Sequence, residues 1–88
     1  MKRRDILLQA ADLTEGVRDQ EYGSWEENAM AIAGIWSAII GHKVEPRHVA
    51  LCMVGLKLVR LKHQPHADSW VDIAGYAGLG GECDSVER

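Results

Sequence analysis

The stretch Ser24-Trp25-Glu26-Glu27-Asn28-Ala29-Met30-Ala31-Ile32-Ala33-Gly34-Ile35-Trp36-Ser37-Ala38-Ile39-Ile40-Gly41 decides the fold. Ser24 followed three residues later by Glu27 is a capping box, in which hydroxyl and carboxylate satisfy the first free N–H groups of a helix. Gly41 supplies the stop at the other end. After Asn28 the stretch is apolar or small on every side, as expected of a buried helix spanning about Trp25 to Ile40. Ala31, Gly34 and Ala38 form a stripe of small residues that lets a neighbour come close.

Helical spacing continues on both sides. Ile6, Leu7, Ala10, Ala11 and Leu13 recur at intervals of three and four, which predicts a first helix from about Arg4 to Glu15 that Gly16 ends. The polar segment Gly16 to Gly23 reads as a loop. Pro46 suits the first turn of a third helix running to about Lys62 and nearly all apolar from Val49 to Val59. His63 to Ala67, with Pro65, reads as a loop. A fourth helix is expected to begin at Asp68 or Ser69, both good caps, and to fray near Gly78, Gly80 and Gly81. The expected fold is an all-α four-helix bundle, one domain over residues 1–82 with a polar tail over 83–88.

With 88 residues the chain has room for one domain and one modest core. Its 47% apolar content excludes a disordered chain. The apolar residues come in blocks too long for a monomer of this size to bury, so a homo-oligomer, a dimer or a tetramer, is expected. A net charge of −3 with scattered basic residues argues against duplex nucleic acid as a partner. The start Met1-Lys2-Arg3-Arg4 mimics a signal peptide, but Asp5, Gln9 and Asp12 interrupt the apolar run that a signal peptide needs. The charge-free run Ala29 to Gly41 is too short to span a bilayer. Cys52 and Cys83 give no disulfide pattern. The expectation is a reduced protein of the cytoplasm, with no membrane partner.

The densest chemistry lies in Asp68-Ser69-Trp70-Val71-Asp72-Ile73-Ala74-Gly75-Tyr76. Asp68, Asp72 and Tyr76 share one helix face. Glu26 and Glu27 begin the second helix. If the starts of the second and fourth helices lie side by side, these acids converge and need a divalent cation between them. The competing reading is that acids in a first turn are there for the helix dipole and the caps. Lys57, inside a strongly apolar helix, must snorkel or meet an anion. With Arg60 one turn on, it could hold phosphates, Lys57 as a point charge and Arg60 as a fork. Alternatively both cations pair with acids of the second or fourth helix. His63-Gln64-Pro65-His66 lacks a second ligand pair for zinc and reads as a solvated loop. Tyr22, Trp25 and Trp70 could stack on a base or belong to core or interface. No phosphate-binding glycine loop is present.

Tyr22-Gly23-x-Trp25-x-Glu27-Asn28, Ile35-Trp36, Leu56-Lys57-x-x-Arg60-Leu61 and Asp68-Ser69-x-x-Asp72-Ile73-x-Gly75-Tyr76 together resemble a family of small phage and prophage proteins of unassigned function. The same residues resemble the nucleotide-modification-associated domains and, more distantly, the MazG-like all-α nucleoside triphosphate pyrophosphatases. The resemblance runs from about Arg4 to Leu79. In the pyrophosphatases, paired acids on two helices hold Mg²⁺, and an activated water splits a nucleoside triphosphate into monophosphate and pyrophosphate. The resemblance implies metal ligands at Glu27, Asp68 and Asp72, with Glu27 and Asp72 catalytic. It implies nucleotide contacts at Lys57, Arg60, Tyr22 and Trp25. Met30 and Ala31 stand where the partner acid of Glu27 belongs, and Asp68 and Asp72 are four apart rather than three. Three functions are therefore expected as alternatives: Mg²⁺-dependent nucleotide pyrophosphohydrolysis; binding that sequesters a nucleotide, such as a defence signal in an infected cell; and a small structural adaptor.

Overall fold

The computed structural model describes residues 1–15 and 23–85. Among these it is all-helical, with four helices and no strand: α1 Arg3–Thr14, α2 Trp25–Ile40, α3 Pro46–His63 and α4 Ala67–Ser85. The expected loop over 16–22 and the last three residues of the expected tail lie outside the described residues.

Each helix starts and stops for a local reason. At α1 the Asp5 carboxylate accepts from the backbone N–H of Lys2 at 3.0 Å. At α2 the Ser24 hydroxyl accepts from the N–H of Glu27 at 3.1 Å, and donates to the Glu27 carboxylate at 3.2 Å. Gly41 ends α2 in the left-handed region, at φ 77°, and its N–H reaches the Ser37 carbonyl at 2.8 Å. The Ser37 hydroxyl then accepts from the N–H of Val44 at 2.8 Å, pinning the connection to α3. Pro46 takes the first position of α3, and the His48 ring nitrogen Nδ1 accepts from the N–H of Glu45 at 3.0 Å.

The helices pack in a row. The most extensive contact is α3 on α4, followed by α1 on α4 and α2 on α3; other helix pairs touch marginally or not at all. The buried side chains are small: Ala10, Ala29, Ala33, Val49, Ala50, Val71 and Ser69. Small residues at a crossing let backbones approach, and α4 uses glycine for this twice. A Cβ on Gly75 would lie 3.3 Å from the Thr14 methyl, and one on Gly80 would lie 3.0 Å from the Ala50 Cβ. α4 runs unbroken through Gly78, Gly80 and Gly81 to Ser85, rather than fraying there, and takes in Cys83 and Asp84 from the expected tail. None of the described helices is long and apolar enough to cross a membrane.

Candidate functional site

The α3–α4 seam carries the chemistry. Lys57, midway along α3, extends its ammonium to the Asp72 carboxylate on α4 at 3.2 Å. The Lys57 side chain is 13% exposed and that of Asp72 33% exposed. A lysine this deep requires a counter-charge, and Asp72, one turn inside α4, supplies it. Within the chain Lys57 thus makes an ion pair across the seam, as one of its two readings expected.

The connection from α3 to α4 places a second group of polar residues. α4 begins at Ala67, one residue earlier than the earlier of the two expected caps, Asp68 and Ser69, because His66 caps it. The Nδ1 of His66 accepts from the Ser69 N–H at 3.1 Å and lies 2.8 Å from the Ser69 hydroxyl. Ser69 is fully buried, so this contact satisfies a hydroxyl that has no access to water. With Nδ1 accepting, the proton of the neutral ring resides on Nε2, which becomes a donor. Arg60, His63, Gln64 and His66 line an open depression of about 320 Å³. Arg60 is exposed, and no carboxylate among the described residues lies within ion-pair distance of it.

The carboxylates do not converge as the sequence led one to expect. Among the described residues no three histidine, cysteine or acidic side chains lie close enough together to hold a metal ion. α2 packs on α3 far more than on α4. Glu27 is engaged with Ser24 in the cap, Asp72 with Lys57, and Asp68 is an exposed acid in the first turn of α4. Trp25 is half-buried at the start of α2, and Tyr22 lies outside the described residues. Cys52 and Cys83 form no disulfide. The sequence reading missed His66; the clue was a histidine three residues before a serine at a helix start.

Comparison with known proteins places these residues in a phage context. The family model described as a domain of unknown function, DUF6378, matches residues 5–84. The chain is similar to the Gene 55 protein of Mycobacterium phage L5, 42% identical over 76 residues, which is 84% of this chain and 49% of that protein. It is similar also to the Gene 55 protein of Mycobacterium phage D29, 38% identical over 74 residues, 83% of this chain and 49% of that protein. The chain thus spans about half the length of these curated relatives. No solved structure matches it. The chain belongs to the DUF6378 family, with relatives in mycobacteriophages.

Proposed function

We propose that this DUF6378 member binds the phosphate end of a nucleotide at the corner where α3 turns into α4. One observation carries the reading: Arg60, exposed and without a counter-charge among the described residues, opens with His63, Gln64 and His66 onto a depression of about 320 Å³. A guanidinium fork matches phosphate oxygens in pairs, and the Nε2–H of His66 adds a neutral donor. That volume falls at the lower end of small-ligand sites. The ligand class comes from the resemblance to nucleotide-modification-associated domains. Lys57 then serves the fold, holding α3 to α4 beneath the corner. In an infected host cell such a protein would act on the nucleotide pool of the cytoplasm by sequestration.

Mg²⁺-dependent pyrophosphohydrolysis is the second reading, favoured by the exposed Asp68 one turn before the partly exposed Asp72 on α4. Among the described residues no further acid groups with them, so this reading draws on an acid from another chain. A structural adaptor is the third, in which Glu27 and Asp68 serve only the helix starts.

A panel of nucleoside and deoxynucleoside triphosphates, incubated with the protein and Mg²⁺, separates the three. Unaltered nucleotide that stays with the protein, and is lost on Arg60→Gln, supports binding at the corner. Monophosphate plus pyrophosphate supports hydrolysis and overturns sequestration. Neither retention nor product leaves the adaptor.

A further inference from the structure

We propose that the outward face of α2 is the docking surface for a second copy of this chain, lying antiparallel about a two-fold axis between Gly34 and Ile35. α2 packs on α3 through small residues, burying Ala29 and Ala33. Its opposite side exposes Met30 (65%), Ile35 (59%) and Ile39 (76%). Ala31, Gly34 and Ala38 are exposed beside them. No side chain from Asn28 to Ile40 carries a charge. The exposed apolar residues of α3 differ, since they alternate with Lys57, Arg60 and Lys62.

Two features of this face select its occupant. A partner bearing charged groups would find no countercharge on α2 beyond its first turn, so the occupant of this stretch must be as apolar as the stretch itself. The pattern of sizes is also self-complementary. Positions 30, 31, 34, 35, 38 and 39 form one continuous strip on a helix. Reversing the helix about the point between 34 and 35 sets Met30 against Ile39 and Ala31 against Ala38. It also sets Ile35 against Gly34. The alanines then meet and let the two backbones approach, and the isoleucine of each copy packs beside the glycine of the other. The space over Gly34 is open: a Cβ there would meet no heavy atom within 4 Å. A two-fold interface requires such self-complementarity, because the same patch serves both copies.

The area suffices. Met30, Ile35 and Ile39, together with the exposed Ala31, Gly34 and Ala38, offer on the order of 500 Å² per copy, about 1,000 Å² for the pair, which reaches the lower bound of a specific interface. Left uncovered, such a patch is at the limit of what monomers carry.

Light scattering at micromolar concentration tests the proposal, with helicity followed by circular dichroism. The expected result is a dimer or larger for the natural chain, and a reduced mass with helicity kept for Ile35→Asp. Leu58→Asp, on the exposed side of α3, should keep the natural mass. A second measurement reads the register without relying on a disruptive variant. In a Cys52→Ser, Cys83→Ser background, chains with Ala31→Cys and chains with Ala38→Cys are mixed and oxidised. The antiparallel register gives disulfide dimers of one kind of chain with the other. A monomeric natural chain, a natural mass for Ile35→Asp with loss of mass for Leu58→Asp, or Ala31→Cys chains that link to one another in preference would each overturn it.

Discussion

Replacing Lys57 with methionine should destabilise the protein whether or not a ligand is present. Methionine keeps most of the apolar stem of lysine and deletes its charge, so the cavity contribution is small and the change isolates the ion pair. The Asp72 carboxylate, 3.2 Å from the ammonium, would lose its partner. Stranding a fully buried charge costs roughly 3–5 kcal/mol. Asp72 is 33% exposed, so water can solvate much of the orphaned carboxylate. The expected loss is therefore about 1–2 kcal/mol, in the range for a hydrogen bond to a charged group. For a domain of this length that lowers Tm by roughly 5–15 °C. Urea denaturation at fixed protein concentration is the suitable assay, because the stability of an oligomer depends on concentration. The double variant Lys57→Met, Asp72→Asn should lose less than the sum of the two single variants, by roughly 1 kcal/mol. Unchanged stability in Lys57→Met, or strict additivity in the double variant, would refute the idea that this pair holds α3 to α4.

Other perturbations test the remaining contacts. Gly78→Ala should stabilise α4 by about 0.5–1 kcal/mol in denaturant melts, from helix propensity in open space. Gly80→Ala should fall short of that gain by about 1 kcal/mol or more, because its Cβ would meet the Ala50 Cβ at 3.0 Å and overpack the seam. Ser24→Ala should cost about 1 kcal/mol through loss of the α2 cap, read in the same melts. His66→Ala should cost roughly 1–2 kcal/mol by uncapping α4 and orphaning the buried Ser69 hydroxyl. His66→Asp should regain most of this, since aspartate is a good cap, yet should weaken nucleotide retention by placing an anion in the depression.

The parts of the fold that local chemistry fixes were legible in the sequence. The Ser24–Glu27 box and Gly41 mark the two ends of α2, and Pro46 marks the start of α3. The parts that depend on which helices meet were not. Gly80 reads as a helix breaker until Ala50 is seen against it, and that contact spans thirty residues of chain. The start of α4 was misplaced because histidine is outside the usual set of capping residues, although its ring nitrogen can accept from a backbone N–H as an aspartate oxygen does. Glu27, Asp68 and Asp72 were expected at one centre on the assumption that α2 and α4 lie side by side. No periodicity encodes that adjacency, and α2 and α4 each make their largest contact with α3. Lys57 was the more legible residue: a charge in an apolar helix required a partner, and Asp72 was among the acids that could provide it.

Calorimetric titration of the full chain with a triphosphate retained in the nucleotide panel, with the natural protein and Arg60→Gln compared at one salt concentration, tests the functional reading most directly. Loss of a charge-assisted contact to phosphate costs roughly 1.5–3 kcal/mol, so the account predicts an affinity about ten- to a hundredfold weaker for Arg60→Gln, with its apo Tm unchanged. Equal affinity in the two proteins, or no heat of binding for any nucleotide with the natural chain, would contradict it.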